Sequence, residues 1–541
     1  MVNRLKESLV TMEERASEDT VIKYYTNGKL ESKVYIIPAL STPKEVSSYI
    51  AGSLNIAVKN KFTCVQLPAG KYELDNTVHV PGGMTLEGTR DENGNNLTTL
   101  TVPMMNDAGT VHRLNKLALV TADSGIDSSN TTIRRIILDG RWDAESNILI
   151  DGHRGIFLSP FPQSKKRGDG YYKDAERKHD ITIEDMTIRN FGGSGIYMDF
   201  VNNVNIGELG SEQNEKSNRI ENIGYGGVIG YSIDNVCVSN TWISDIGLAG
   251  KQAYGIAVSW QKGTTDENQL ANNDRSRFAD TAEGESLWKE TPYVNGYYPS
   301  RNVKIVNNII MNNASWEALD THSGKNISFI GNRIMGVRFP IVLGGMEYDG
   351  GAISAYPPED IDISENVINN KEDIKKYNPK PIPSERGIAA NGAQFNDLLK
   401  ESIGFLKGLT IKKNEVNNIQ AVKNTQGGIG IHVTFRACII GNHINNTKFN
   451  GLALLSSNKK TVLQNNTITS IQEAKANEMS VCIGIRGSHN NGNTSNTYSS
   501  EPLTSEGTSI MNNKLDVGGQ NKNIAEIYQN PASISNMLNF I

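Results

Sequence analysis

The feature of this chain of 541 residues that most restricts its fold is a repeat of short segments with alternating apolar residues. Copies begin at Asp180 and Asn203, 23 residues apart, and at Asn302 and Asn326, 24 residues apart. The apolar residues fall at every second position, as in a strand with one buried face, and not at the spacing of a helix. A period in the low twenties built from such strands predicts a solenoid. Because the frame of leucine-rich repeats is absent, we predict an all-β chain, a single-stranded right-handed parallel β-helix with three short strands per coil.

Pairs of consecutive asparagines recur along these repeats. Asn tolerates the left-handed backbone that tight turns need, and stacked side-chain amides can hydrogen-bond from one coil to the next. We therefore predict that the pairs occupy one turn position of the coil. The pairs are Asn307-Asn308, Asn369-Asn370, Asn417-Asn418, Asn445-Asn446, Asn465-Asn466 and Asn512-Asn513.

The extent of the repeats divides the chain into three parts. Residues 1–40 are predicted to be an N-terminal extension, residues 41–520 the β-helix, and residues 521–541 a C-terminal cap or tail. Long loops inside a compact domain are usually functional. Three segments interrupt the repeat and are predicted to be inserted loops, namely 159–179, 261–300 and 371–408.

An amphipathic helix is predicted at the start of the coil. The segment Thr42-Pro43-Lys44-Glu45 has the pattern of a capping box with proline at the first helical position. Val46, Ile50, Leu54 and Val58 then follow at fourfold spacing, which places them on one face. We expect this helix to cap the coil, since an uncovered strand edge promotes aggregation.

Composition and charge exclude several classes of partner. Charged residues make up 21% of the chain and the net charge is −5, without a basic stripe, so neither nucleic acid nor an anionic membrane is an expected partner. No apolar run has the length of a membrane span. The N-terminal residues lack the apolar core of a signal peptide. The protein is therefore expected to be cytoplasmic or to leave the cell by another route, such as inside a virion.

The opening of the coil resembles the β-helices of the pectate-lyase superfamily. The resemblance consists of the amphipathic helix, the turn Leu67-Pro68-Ala69-Gly70-Lys71-Tyr72 and the strand Thr85-Leu86-Glu87-Gly88. It implies a pectin-lyase-like solenoid with an N-terminal capping helix. Many members are phage tailspikes and polysaccharide-degrading enzymes, so the resemblance also implies a polysaccharide partner, a homotrimer and, for a phage protein, a virion-associated or extracellular location.

The segment Asp320-Thr321-His322 is the strongest candidate for a functional site. Residues two apart on a strand leave the same face, so Asp320 and His322 are expected to stand side by side. Alternation turns Thr321 inward and the pair outward, toward solvent. Aligning the repeats on their asparagines gives Tyr197 and Asp199 the equivalent positions three coils away, with two coils in between. These four residues are predicted to form one file, with Asp199 and His322 about 14 Å apart.

These residue types suit proton transfer on a sugar. His322 has an ordinary pKa close to neutral and can serve as base or acid, while Asp320 orients it or holds a hydroxyl. A lyase or epimerase acting on a uronic acid would use Tyr254 or Tyr348 as second acid and Arg338 to face the substrate carboxylate. A hydrolase would instead use two carboxylates. The candidates for that pair are Asp199, Asp320 and Glu347.

Aromatic and basic residues make the segment 261–300 a candidate sugar-binding loop. Aromatic rings stack on the apolar faces of sugars, and arginines pair with carboxylate or phosphate groups; the alternative is that the rings fold the loop onto the coil. The predicted substrate-binding residues are Trp288, Tyr254, Tyr297, Tyr298, Arg275 and Arg277. Since neither a His-x-His motif nor the spacing of a calcium loop is found, no metal or other cofactor is expected, with a bound Ca²⁺ as the alternative.

Two classes of function follow from these features. The first is a polysaccharide lyase or glycoside hydrolase acting on a bacterial or uronic-acid-containing glycan, such as a phage tailspike depolymerase. The second is a non-catalytic spike that binds a glycan receptor. Two further enzymatic alternatives are a C5-epimerase, because Asp320-Thr321-His322 resembles the Asp-Pro-His segment of mannuronan C5-epimerases, and a teichoic-acid phosphodiesterase.

Overall fold

The computed structural model describes residues 21–26, 29–36, 46–74, 76–102, 120–122, 129–150, 152–160, 177–207, 218–248, 251–259, 299–322, 324–344, 358–369, 383–396, 401–404, 406–423, 426–472, 480–486, 505, 507–516, 524–529 and 539–540. The chain divides into two compact units. Residues 1–165, 173–229 and 235–248 form the first unit, and residues 166–172, 230–234 and 249–541 form the second. Within the described ranges, no helix has both the length and the hydropathy required to cross a bilayer.

The part of the chain up to residue 248 contains the helix α1 (Val46–Lys59), a 3-10 turn at Ala144–Ser146 and short strands. The strands are β1 (Val21–Thr26), β2 (Lys29–Ile36), β3 (Cys64–Gln66), β4 (Gly70–Glu73), β5 (Val78–His79), β6 (Thr85–Glu87), β7 (Thr98–Thr101), β8 (Val120–Ala122), β9 (Thr131–Arg134), β10 (Ile136–Asp139), β11 (Arg154–Leu158), β12 (Lys178–Glu184), β13 (Thr187–Phe191), β14 (Ser194–Asp199), β15 (Val201–Ile206), β16 (Arg219–Ile223), β17 (Gly226–Tyr231), β18 (Asp234–Ser239) and β19 (Trp242–Ile246).

The part from residue 251 onward consists of strands alone among its described residues. They are β20 (Tyr254–Ser259), β21 (Arg301–Val306), β22 (Ile309–Thr321), β23 (Lys325–Ile330), β24 (Arg333–Leu343), β25 (Glu359–Ser364), β26 (Val367–Ile368), β27 (Ile388–Asn391), β28 (Ala393–Asn396), β29 (Glu401–Gly404), β30 (Leu406–Lys412), β31 (Glu415–Asn417), β32 (Gly427–Phe435), β33 (Cys438–Ile440), β34 (His443–Asn445), β35 (Asn450–Lys459), β36 (Val462–Gln464), β37 (Thr467–Thr469), β38 (Ser480–Arg486), β39 (Ser509–Met511), β40 (Lys514–Leu515), β41 (Ile524–Gln529) and β42 (Asn539–Phe540).

Strand pairing in each unit is that of a parallel β-helix. In the first unit β11, β12 and β13 pair in parallel with β14, β15 and β16, three strands further along the chain. In the second unit β33, β34 and β35 pair in the same way with β36, β37 and β38. Each of these coils therefore contributes three strands, as predicted, whereas β21, β22 and β23 pair with β23, β24 and β25, only two strands further along. The fold is a right-handed parallel β-helix of the pectin-lyase type.

Alternating side chains build the core. In β12, Ile181 and Ile183 are buried, whereas Thr182 between them is only partly buried. Burying an isoleucine in this way stabilises the fold by roughly 1.5–3 kcal/mol relative to leaving it in water. The residue that begins each repeat turns the chain through left-handed backbone, which Asn and Asp tolerate. These residues include Asp180, Asn203, Asn302 and Asn326, with φ of 57°, 52°, 55° and 54°.

The predicted capping helix is confirmed as α1, which packs against β3 and β5. Val46, Ile50 and Leu54 are buried as expected. Val58 was predicted to share their face, but 49% of its surface is exposed. That part of the prediction is wrong, because strict fourfold spacing drifts off the buried face of a helix with 3.6 residues per turn, and the buried Ala57 follows Leu54 on that face instead. The capping-box segment 42–45 lies outside the described residues.

The coil extends beyond the predicted bounds at both ends. β2 pairs in parallel with β3, and β1 is attached to β2 as an antiparallel hairpin, so coil pairing begins before residue 41. β41 pairs in parallel with β38, which continues the coil past residue 520. The segment 371–408, predicted as an inserted loop, contains β27, which pairs in parallel with β24 and β32 and belongs to the coil. Only the antiparallel hairpin of β28 and β29 departs from the coil within its described part.

A ladder of asparagines, all buried except the partly buried Asn513 at its end, runs through the second unit. Each side-chain amide donates to the amide oxygen of the next, at 2.9–3.0 Å, and that oxygen also accepts from the backbone N–H of the residue before it in the ladder. The members are Asn308, Asn332, Asn366, Asn414, Asn442, Asn466 and Asn513. Buried polar groups are tolerated when they are satisfied in this way.

The asparagine pairs fall at two turn positions, so the prediction of a single position is wrong. Three pairs, beginning at Asn307, Asn465 and Asn512, each contribute their second residue to the buried ladder. The pairs containing Asn418 and Asn446 lie at a different corner, where the Asn446 amide donates to Asn418 Oδ1 at 2.6 Å. Sequence could not separate them because both corners require the same left-handed backbone.

Replacing Asn414 by alanine is expected to lower the free energy of unfolding by about 3 kcal/mol. The substitution removes the oxygen that accepts from both the side-chain amide and the backbone N–H of Asn366, and it removes the side-chain donor to the Asn442 oxygen, all in the core. Chemical denaturation measures the loss. The matched control Asn417→Ala, three residues later and only partly buried, is expected to change stability by less than about 0.5 kcal/mol. Equal effects of the two substitutions would contradict a structural role for the ladder.

Candidate functional site

Asp320 and His322 lie at the end of β22 and contact each other. The His322 Nε2 and Asp320 Oδ2 atoms are 3.2 Å apart, so both side chains lie on the same side of the strand. Leu319 and Thr321, which flank Asp320, are fully buried. In the parallel ladder Asp320 stands between Ala257 of β20 and Val342 of β24.

The expectation that both groups face solvent is wrong for Asp320. None of its surface is exposed, whereas 31% of the His322 side chain is. Alternation predicts the side of the strand that a residue takes, but it does not predict what packs over that side. His322 is therefore the member of the pair that a ligand can reach.

Glu317, which was not predicted, completes the site. Its carboxylate, that of Asp320 and the His322 ring each place a possible ligand atom within 4.8 Å of the others. Glu317 and Asp320 are three residues apart, a spacing that places side chains on opposite faces of a regular strand. Here Ala318 and Leu319 between them are both fully buried, so the alternation is interrupted and the two acids share one side.

A β-bulge lies immediately before Glu317 in this strand. The pairing of β22 with β24 shifts register between Asn313 and Glu317. The buried Asn313 amide donates to the backbone oxygens of Glu317 and Ala253, at 2.8 and 3.1 Å. Its oxygen accepts from the Ser315 hydroxyl and the Trp316 backbone N–H, at 3.2 and 3.1 Å. Bulges are common next to active sites, and this one directly precedes Glu317, whereas the pairing from Glu317 to Thr321 keeps one register.

The two carboxyl groups have little compensation for their burial. Three of their oxygens, Oδ1 and Oδ2 of Asp320 and Oε2 of Glu317, have no hydrogen-bond partner among the described residues. The 3.2 Å contact with His322 has the distance of an ion pair but lacks hydrogen-bond alignment. Burial of an unpaired carboxylate is costly. The site therefore strongly favours any state that removes negative charge from this pair.

The pKa values express this cost. Burial raises the pKa of Asp320 well above its usual range. Burial, and then the charge of Asp320, raise the pKa of Glu317 well above its usual range, while the charges of His322 and Arg386 act in the opposite direction. Burial lowers the pKa of His322, partly offset by the charge of Glu317 and a hydrogen bond to the Gly344 backbone. In the metal-free protein the acids thus favour their neutral forms, and so does the imidazole.

Aromatic and basic residues lie beside the acids. Glu317 stands in the ladder between Tyr254 of β20 and Phe339 of β24, both buried. The Arg386 guanidinium lies 5.3 Å from the centre of the Phe339 ring, and Trp316 meets that ring edge-on at 5.1 Å. Arg386, which was not predicted, is the cation whose charge acts on Glu317.

Arg338 is placed differently from the expectation that it faces a substrate carboxylate. Its Nε donates to Glu385 Oε1 at 2.8 Å, and 39% of its side chain is exposed. Tyr197 and Asp199 lie in β14 of the first unit and are buried. The Tyr197 ring is covered by the Arg154 guanidinium at 3.7 Å. The predicted file joins these residues to Asp320 and His322 of the second unit, and it stays a prediction.

Several predicted residues cannot be placed. They lie outside the described residues and are Trp288, Tyr297, Tyr298, Arg275, Arg277, Glu347 and Tyr348. Their predicted roles in sugar binding and catalysis stay predictions.

Comparison with known proteins identifies the fold of this chain but does not assign the chain to a family. No protein-family profile and no characterised protein sequence matches this chain. The tailspike protein of E. coli bacteriophage HK620, solved with a pentasaccharide, is similar in structure with a TM-score of 0.52 and 10% identity, covering 97% of this chain and 84% of that one.

Two further solved structures are more distant. The A-module of mannuronan C-5 epimerase AlgE4 from Azotobacter vinelandii has a TM-score of 0.42 and 13% identity, covering 89% of this chain and 91% of that one. The catalytic domain of a GH87 alpha-1,3-glucanase, solved with tetrasaccharides, has a TM-score of 0.42 and 11% identity, covering 94% and 70%. The likeness to the tailspike shows the fold that this chain shares, a pectin-lyase-like right-handed parallel β-helix.

Proposed function

We propose that this protein cleaves a polysaccharide by β-elimination, with His322 as the catalytic base. The observation that carries the proposal is a partly exposed imidazole, 3.2 Å from one of two buried carboxyl groups that have no hydrogen-bond partner among the described residues. Clusters of perturbed ionisable groups are typical of active sites. The tailspike with the same fold was solved with a pentasaccharide bound, which supports a glycan as ligand.

The proposed reaction assigns one task to each group. The neutral His322 ring takes the C5 proton of a uronic acid residue, the released electron pair forms the C4–C5 double bond, and the C4–O bond breaks. Tyr254, opposite Glu317 in the ladder, returns a proton to the leaving oxygen. Asp320 has no exposed surface, so it acts through His322, whose Nε2 atom lies 3.2 Å from Asp320 Oδ2, by orienting the ring. Asp320 and Glu317 are therefore positioning residues.

Elimination fits the site better than hydrolysis. Inverting hydrolases keep their carboxyl groups roughly 6.5–9.5 Å apart to admit a water molecule, whereas ligand atoms of Glu317 and Asp320 lie within 4.8 Å of each other. A retaining hydrolase needs an ionised carboxylate that can reach the sugar, and both acids here are buried and favour their neutral forms. A neutral imidazole suffices as the base of an elimination.

Incubation of the purified protein with a panel of uronic-acid, capsular and teichoic polymers tests the proposal. The expected result is a shortened polymer whose new chain ends absorb ultraviolet light, because elimination leaves a conjugated double bond. New reducing ends without that absorbance would instead indicate a hydrolase. Tight binding without cleavage would support the receptor-binding alternative.

Arg386, and not Arg338, is expected to hold the substrate carboxylate. The charge of Arg386 acts on Glu317, while Arg338 is engaged by Glu385. Removing a charged hydrogen bond to a ligand costs about 1.5–3 kcal/mol, so Arg386→Ala should raise KM about 10- to 100-fold on an anionic glycan. Arg338→Ala, the matched control, should change KM less than about threefold. The reverse order of effects would contradict this assignment.

A further inference from the structure

We propose that Glu317, Asp320 and His322 bind one divalent transition-metal ion. Each residue offers a ligand atom within 4.8 Å of the other two, and His322 Nε2 lies 3.2 Å from Asp320 Oδ2. Three ligands about 2.1 Å from a common ion are at most about 4.2 Å apart, so small side-chain adjustments close the site. All three come from one strand end, where the Asn313 amide donates to the backbone oxygen of Glu317 at 2.8 Å.

The unpartnered oxygens are the independent sign of a ligand. Both oxygens of Asp320 and Oε2 of Glu317 are buried and lack a hydrogen-bond partner among the described residues. Such groups in native proteins usually indicate a proton, a water or an ion at the site. The two positive charges of a divalent ion would balance the two negative charges of the carboxylates. This would offset the free-energy cost of burying the two carboxylates together.

The ligand types favour a transition metal over Ca²⁺ or Mg²⁺. Calcium and magnesium sites are built from oxygen ligands, whereas imidazole suits zinc, copper, iron and nickel. The general order of affinity places Zn²⁺ above Mn²⁺. Because 31% of the His322 side chain is exposed, the ion would keep an open side toward solvent.

This inference does not rest on the proposed function, since metal binding is measured without any glycan. If both hold, proton and metal compete for the same atoms. An imidazole that coordinates a metal cannot accept the C5 proton, so Zn²⁺ is expected to inhibit cleavage and a chelator to restore it. The cluster is then catalytic only in its metal-free form.

Calorimetric titration of the full chain, stripped with EDTA and dialysed, tests the site with ZnCl₂, MnCl₂, CaCl₂ and MgCl₂ in turn. The expected result is one Zn²⁺ per chain, bound more tightly than Mn²⁺, with Ca²⁺ and Mg²⁺ weaker than both. Asp320→Asn and Glu317→Gln are each expected to weaken Zn²⁺ binding at least tenfold. Both are nearly isosteric and remove buried charge, so folding is expected to survive; the unfolding transition of each variant verifies it.

A matched control separates this site from surface binding. His179 and Asp180 form another contacting pair, with Nδ1 and Oδ2 2.7 Å apart, but both side chains are more than 40% exposed. His179→Ala should leave the Zn²⁺ affinity unchanged. Zn²⁺ binding that survives Asp320→Asn and Glu317→Gln, or that is absent from the unaltered protein, overturns the proposal.

Discussion

The double substitution Glu317→Gln with Asp320→Asn is expected to stabilise the metal-free protein at pH 8 by several kcal/mol. Two buried carboxyl groups without hydrogen-bond partners among the described residues must either ionise in the core or retain their protons there. Both choices are unfavourable relative to an unfolded chain that ionises freely in water. Amides of nearly the same shape remove that cost and keep the packing.

The pH dependence of this gain follows from the direction of the shifts. Both folded pKa values are raised above the unfolded ones. The stability that the neutral acids provide is fully present below the ordinary carboxyl pKa of about 4, and it is lost as pH rises from there through the folded pKa values. Each group contributes a slope of up to about 1.4 kcal/mol per pH unit. The lowered pKa of His322 acts in the opposite direction, below its ordinary value of about 6.5, but His322 is unchanged in the variant.

Denaturant unfolding of both proteins in EDTA, from pH 4 to pH 8, measures this effect. The free energies of unfolding should nearly coincide at pH 4 and diverge as the pH rises. Addition of Zn²⁺ at pH 8 should narrow the gap by stabilising only the unaltered protein. Parallel pH profiles with a constant offset would show that the two carboxyl groups titrate as they do in the unfolded chain.

The second large effect is expected from His322→Ala, which should lower the rate of glycan cleavage about a thousandfold. General bases typically contribute 10²- to 10⁴-fold, and His322 is the only member of the cluster with an exposed side chain. Assays in EDTA, on the polymer identified by the panel, exclude inhibition by metal. KM should change little, because the ring acts on a proton and not on the bulk of the sugar.

His179→Ala is the control for this substitution, since it removes an exposed histidine that also contacts an aspartate. Its cleavage rate should equal that of the unaltered protein. Loss of activity in both variants would indicate a general effect on the preparation. Full activity of His322→Ala would exclude His322 as the base of the proposed reaction.

The coil and the contact between Asp320 and His322 could be predicted from the sequence, because both depend on the short-range periodicity of a strand. Alternation in segments such as Ile181-Thr182-Ile183 determines which residues enter the core, and the leading asparagines take the left-handed backbone that the turns require. The twofold period of a strand is likewise sufficient to predict that Asp320 and His322 meet.

The rest of the site depends on departures from that periodicity. Glu317 joins Asp320 against the alternation of a regular strand, next to a bulge between Asn313 and Glu317. Arg386 reaches the acids from a later coil, 66 positions after Asp320, and nothing local in its sequence distinguishes it from Arg338. The burial of Asp320 depends on what packs over the strand. Such features are set by tertiary contacts, so a regular repeat cannot predict them.

The most direct test measures stability and cleavage together on Asp320→Asn, in EDTA at neutral pH. A residue kept for its chemistry at the expense of stability gives opposite signs in the two measurements. The account predicts a variant that unfolds at a higher denaturant concentration than the unaltered protein and cleaves the glycan at least a hundredfold more slowly. A variant that is less stable and equally active would contradict it, because Asp320 would then be a structural residue.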